Sequence, residues 1–122
     1  MGKNYVFVYG TLKRGFGNNS LLETSEFVGT AETESKYLLL ESGIPFLVDD
    51  PCHSKSCKVK GEVYLTDNEV LNDLDSLEGH PTFYERKPIW ITINNKIKYV
   101  WTYLYTVDNI EDYNILESGN FI

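Results

Sequence analysis

Basic residues are scarce in this chain. Lys and Arg number 11 against 18 Asp and Glu, which leaves a formal net charge of −7. A nucleic-acid binder needs a cationic footprint that displaces counterions from phosphates, and this balance excludes that class. The clusters that exist, Lys13-Arg14 and Lys96-Ile97-Lys98, are short. Long apolar runs are also missing. No segment reaches the length a membrane helix needs, and the first residues lack the apolar stretch of a signal peptide. An acidic surface is repelled by anionic lipid. The expectation is a protein without nucleic-acid or membrane partners, located in the cytoplasm.

Cysteine is limited to Cys52 and Cys57, both within residues 49–57. A metal reading would recruit Cys52, His53 and Cys57 with an aspartate as fourth ligand. That spacing matches no zinc pattern, and adjacent Cys and His are poorly placed to share one tetrahedral ion. Loop thiols are expected in preference to a disulfide or a metal.

Aromatics are abundant, at 14% of 122 residues. They favour strands and a core of large side chains over a helical bundle. With no repeat, linker or low-complexity stretch, residues 1–122 read as one domain.

Along the chain, Tyr5-Val6-Phe7-Val8-Tyr9 is apolar on both faces, as a central strand is. It stops at Gly10, and Gly10-Thr11-Leu12-Lys13-Arg14-Gly15 forms a glycine-bounded loop. Gly17 to Ser20 offers cap residues for a short helix through Leu21 and Leu22. One or two strands follow over 25–41, and Pro45 marks 43–48 as a turn and edge strand. Another strand spans 58–65, with Val59, Gly61 and Val63 on one face.

Thr66-Asp67-Asn68-Glu69 reads as a capping box, with Thr66 as the cap. Val70, Leu71, Leu74 and Leu77 recur at helical spacing behind it, and Gly79 with Pro81 supplies the stop. The pattern predicts a helix over about 67–77. Strands over 84–93 and 96–106 form a hairpin on Asn94-Asn95. Ile89, Ile91 and Ile93 share one face of it, and Tyr99, Trp101, Tyr103 and Tyr105 share one face of the partner arm. The tail from 108 onward has no clear pattern. Segregated strands with few helices indicate α+β, with twisted aromatic strands curling into a small barrel.

Glu78 contradicts the rules of helix ends. A carboxylate at the carboxyl terminus meets unpaired C=O groups, where a cation would be favoured. Asp73 and Asp75 add negative potential. These effects push its pKa up, which suits a general acid/base near neutral pH. Position alone also allows a solvated surface Glu.

Tyr9-Gly10-Thr11-Leu12-Lys13-Arg14-Gly15 resembles the signature of the γ-glutamylcyclotransferase-like superfamily, in its γ-glutamylamine cyclotransferase branch. Residues 44–48, 61–64, 74–79 and 81–86 resemble the later blocks of that family in the same order, as does Ser118-Gly119-Asn120-Phe121. The resemblance implies a small mixed β-barrel flanked by a few short helices. It implies Glu78 as the catalytic carboxylate and Tyr9, Gly10, Thr11 and Leu12 as the loop holding the substrate. Tyr105 matches a family tyrosine and is a candidate for the pocket.

The implied reaction closes a γ-glutamyl amide into 5-oxoproline and expels an amine, with no cofactor, metal or enzyme nucleophile. ε-(γ-Glutamyl)lysine or a similar small amide would be the substrate. A γ-glutamyl amino acid or a carrier-bound γ-glutamyl group is the alternative within the enzyme class. The alternative outside it is a non-catalytic module binding small acids. Arg86 reads as structural, His80 as a polar loop residue, Asn18 as a helix cap, and Lys13 and Arg14 as solvated.

Overall fold

The computed structural model describes residues 2–122. The chain runs β1 (Lys3–Val8), a 3-10 turn (Gly17–Leu22), β2 (Glu26–Thr33), β3 (Leu38–Ser42), β4 (Ile44–Val48), β5 (Lys60–Asp67) and α1 (Asn68–Glu78). It continues through β6 (Glu85–Ile93), β7 (Lys96–Leu104), a second 3-10 turn (Ile110–Asp112) and β8 (Asn114–Ile115).

Five strands close into a barrel in the order β1-β5-β2-β6-β7, and β4-β3-β8 form a separate sheet. The β1–β7 pairing is parallel while the other barrel pairings are antiparallel, so the barrel is mixed. The α+β barrel with a few short helices matches the expected fold.

Alternation along the strands sends Phe7, Val63, Ile89, Ile91 and Val100 into one buried cluster. Val6, Val8 and Tyr64 point the other way and pack with Val70, Leu71 and Leu74 of α1. Strands β1 and β5 are thus apolar on both sides because a helix covers their outer face. Glu62 and Tyr64, which alternate with the core face of β5, are buried as well, Tyr64 in the cluster that α1 joins and Glu62 against the Arg14 N–H. Pro45 lies on β4 at the edge of its sheet, where a missing N–H is tolerated.

Asn94 and Asn95, at φ 51° and 63°, form the predicted hairpin turn. The aromatic face of β7 proves uneven. Tyr103 is buried and Tyr99 is 55% exposed, while β7 ends before Tyr105.

The helix begins one residue after the expected start. Asp67, not Thr66, caps it, its Oδ1 accepting from the Val70 N–H at 2.8 Å. Thr66 is still a strand residue, fully buried, and its hydroxyl donates to the Asn4 carbonyl. The tail also has more order than its sequence indicates, since β8 pairs with β3.

Candidate active site

The turn after β1 is held by its carbonyls and side chains. The Gly10 carbonyl accepts from the Lys13 N–H at 3.0 Å, and the Thr11 carbonyl accepts from the Asn18 N–H at 3.1 Å. Asn18 Nδ2 donates to Thr11 Oγ1 at 2.9 Å, and Asn19 Nδ2 donates to the Leu12 carbonyl at 2.8 Å. The N–H groups of Gly10, Thr11 and Leu12 have no acceptor among the described residues. They are the free donors of the turn. A Cβ on Gly10 would overlap the ring of Pro45, so only glycine lets the turn lie this close to β4.

Glu78 is the last residue of α1, and Gly79 follows in the left-handed region at φ 68°. The chain then folds back over the helix end. The carbonyls of Asp75 and Glu78 accept from the N–H groups of His80 at 2.9 Å and Tyr84 at 3.1 Å. Asp75 is gripped by Arg86, with Nε–Oδ1 at 2.8 Å and Nη2–Oδ2 at 3.2 Å, and by the Tyr103 hydroxyl at 2.7 Å.

These contacts change the reason for the acidity of Glu78. Its carboxyl is indeed pushed up, from 4.5 to about 7, but burial is the cause. The helix end is largely satisfied by the returning chain, Asp75 is neutralised by Arg86, and Asp73 is exposed. Desolvation therefore replaces the helix end and the neighbouring acids as the source of the shift.

Tyr9, Gly10, Thr11, Leu12 and Glu78 line one cavity of about 160 Å³. That is close to the roughly 150 Å³ known to accept a benzene-sized molecule. Tyr84 and Tyr103, which the sequence did not mark as site residues, line it too. Three tyrosine hydroxyls around this space are committed as donors. Tyr9 donates to the Tyr103 carbonyl at 2.6 Å, Tyr84 to the Pro45 carbonyl at 2.7 Å, and Tyr103 to Asp75. Burial drives all three phenol pKa values upward, helped by Glu78 at Tyr9 and Tyr84 and by Asp75 at Tyr103. The walls thus combine free N–H donors at the turn with a carboxyl group and tyrosine oxygens that can still accept.

Other expected residues fall elsewhere. Tyr105 does not line this cavity. Its N–H donates to the Leu47 carbonyl at 2.9 Å, and its ring packs on Phe46 and Phe83 at 4.7 and 5.0 Å beside a neighbouring groove. The strand alternation that would have aimed it inward has ended one residue earlier. Asn18 caps nothing and lines the cavity through its bond to Thr11. Arg86 is structural, paired with Asp75 and stacked 4.4 Å from Trp101, and His80 Nδ1 accepts from the Arg86 N–H.

Lys13 is not solvated. It is 8% exposed and reaches residues of the tail. Arg14 is exposed and lies 3.5 Å from Glu62. Cys52 and Cys57 are free thiols. Among the described residues, no cluster of three or more His, Cys, Asp or Glu forms a metal-binding group. None of the described helices is long and apolar enough to cross a membrane.

The chain is similar to known proteins over most of its length. The family model "Gamma-glutamyl cyclotransferase, AIG2-like" matches residues 6–122. A Methanocaldococcus jannaschii protein, provisionally named a gamma-glutamylcyclotransferase, is 39% identical over 120 residues, covering 96% of this chain and 94% of that one. Gamma-glutamylaminecyclotransferase C of Danio rerio is 38% identical over 101 residues, covering 76% of this chain and 65% of its own length. The crystal structure of an AIG2-like protein from Mus musculus is similar at a TM-score of 0.85 and 27% identity, covering 96% of this chain and 88% of that one. With a family match across almost its whole length and relatives well above 30% identity, this chain belongs to the AIG2-like γ-glutamyl cyclotransferase family.

Proposed function

We propose that this protein converts a γ-glutamyl amine, such as ε-(γ-glutamyl)lysine, into 5-oxoproline and the free amine. The observation that carries the reading is the placement of one half-buried carboxyl group, with a pKa near 7, in the same small cavity as a turn with free N–H donors. The name of the Danio rerio relative supports a γ-glutamyl amine as the substrate class.

The reaction is internal. Ionised Glu78 takes a proton from the substrate α-ammonium, and the resulting amine attacks the γ-carbonyl carbon. A C–N bond forms, closing the ring, and negative charge develops on the carbonyl oxygen. The turn N–H groups of Gly10, Thr11 and Leu12 receive the anionic groups of the substrate. Protonated Glu78 then delivers its proton to the amide nitrogen as that C–N bond breaks. The second proton leaves the ring nitrogen and ends on the departing amine in water.

Because nucleophile and electrophile share one molecule, holding the folded-back conformer supplies much of the rate. A carboxyl group near pKa 7 is able to accept and return a proton at neutral pH.

The test is to incubate the protein with a panel of γ-glutamyl amides and quantify 5-oxoproline. Wild type should turn over at least one γ-glutamyl amine, and Glu78→Gln should lose about 10²–10⁴-fold in turnover while remaining folded. Normal turnover by Glu78→Gln would remove the assigned role. Tight binding of these amides by wild type, with no 5-oxoproline formed, would mark a binding module instead.

A further inference from the structure

Lys13 is a buried cation that the proposed chemistry leaves unused. It follows Leu12 directly, so it belongs to the turn that borders the cavity. Its Nζ donates to the Phe121 carbonyl at 2.6 Å and to Asn120 Oδ1 at 3.0 Å, more than a hundred residues away in sequence. Its own N–H closes the turn on the Gly10 carbonyl. The two acceptors are neutral, and burial lowers the lysine pKa, with only the nearby Glu62 carboxylate opposing it. Burying an ammonium against neutral acceptors is a poor way to gain stability, since an apolar side chain of similar length would fill the space without that penalty.

The partner segment is itself anchored. The Lys60 N–H at the start of β5 donates to the Gly119 carbonyl at 2.7 Å. The Leu116 N–H donates to the Leu39 carbonyl at 2.9 Å, continuing the pairing of β8 with β3. Phe121 packs on Phe16 with ring centroids 5.4 Å apart, on the far side of the same turn. On the same groove, which Lys13, Phe16, Asn120 and Phe121 also line, Glu62 Oε1 accepts from the Arg14 N–H at 2.9 Å. The tail is thus fixed to both sheets before it meets Lys13.

We propose that Lys13 is a positioning residue, whose ammonium latches the turn to Asn120 and Phe121 and so fixes the free N–H groups of Gly10, Thr11 and Leu12 at the cavity. The proposal rests on the cyclotransferase reading for its effect on rate, but the latch itself is independent of that reading. It assigns the tail motif a role at the site without any contact between tail and substrate.

The test combines turnover with residue-resolved amide hydrogen exchange. Lys13→Met keeps the apolar stem and removes both bonds. It should speed exchange about tenfold at the Phe16 and Asn18 amides, whose N–H groups bond the Lys13 and Thr11 carbonyls of the turn, leave the barrel amides unchanged, and lower kcat/KM about tenfold. Lys13→Arg, which retains a donor of similar reach, should recover most of the loss.

If Lys13→Met does not fold, Asn120→Ala removes one acceptor and leaves the other. About threefold faster exchange at the same two amides is then expected. Unchanged exchange at these amides in whichever variant folds would overturn the latch, as would a uniform rise across the barrel, which marks a purely structural lysine. Should wild type form no 5-oxoproline at all, the exchange arm still decides the latch, and only the cyclotransferase reading fails.

Discussion

The barrel interior and the cavity at the end of β1 share a strand, yet they treat polar groups in opposite ways. Inside the barrel, Phe7, Val63, Ile89, Ile91 and Val100 are at most 4% exposed, and the Thr102 hydroxyl donates to the Phe7 carbonyl. Each such apolar side chain contributes about 1.5–3 kcal/mol by leaving water. At the cavity, the same strand delivers Tyr9 and then a turn with free N–H donors, lining the same space as a carboxyl group that burial has shifted to about 7. The first region is built for stability alone. The second holds desolvated polar groups that lower stability and are useful only when something occupies the space between them.

Substitutions can break that contrast, and the largest effect is expected in the barrel. Ile91→Ala should remove about 2–5 kcal/mol of stability, read from denaturant midpoints. Turnover per folded molecule should stay within twofold. A large drop in turnover there would mean the two regions are not separable.

Gly10→Ala probes the other region. The new Cβ must displace Pro45 or the turn, and Pro45 is held through its carbonyl by Tyr84. Steady-state kinetics should show kcat/KM falling about a hundredfold, as expected when reacting groups are misplaced by about an ångström. Loss of stability without loss of rate would show that the turn does not touch substrate.

A subtler contrast lies in pH. Between about 4.5 and 7 the folded chain keeps the Glu78 proton that the unfolded chain has released. Stability must therefore fall as pH rises through that window and level off above it. Partial exposure moderates the effect, so wild type should lose about 1–2 kcal/mol relative to Glu78→Gln, and the gap should close below pH 4.5. Equal pH profiles for the two proteins, measured by urea denaturation, would mean Glu78 is not desolvated. The same ionisation should make turnover rise as pH passes through about 7.

Local signals in the sequence were legible wherever neighbours in the chain decide the outcome. The apolar spacing of Val70, Leu71 and Leu74, with Gly79 and Pro81 beyond, marked α1 to within a residue at each end. Asn94-Asn95 marked the hairpin for the same reason. The cap was misassigned because Thr66 and Asp67 are equally good caps in isolation, and only the pairing of β5 with β1 keeps Thr66 in the strand. Tyr105 was misplaced because the point where β7 stops depends on contacts with Leu47, which no alternation pattern contains. Lys13 looked solvated because its partners lie at Asn120 and Phe121.

The sequence by itself determined β1, α1 and the β6–β7 hairpin, the acidic character that excludes nucleic acid, and the positions of Glu78 and the Tyr9–Leu12 turn. Those depend on residue type and on spacing of a few positions. Only the tertiary structure decided that the two lie on one cavity, and that burial rather than the helix end raises the carboxyl pKa. It also decided that the tail returns to hold the turn. Desolvation and long-range hydrogen bonds are properties of three-dimensional packing, and they arise between segments whose separation along the chain carries no trace of their contact.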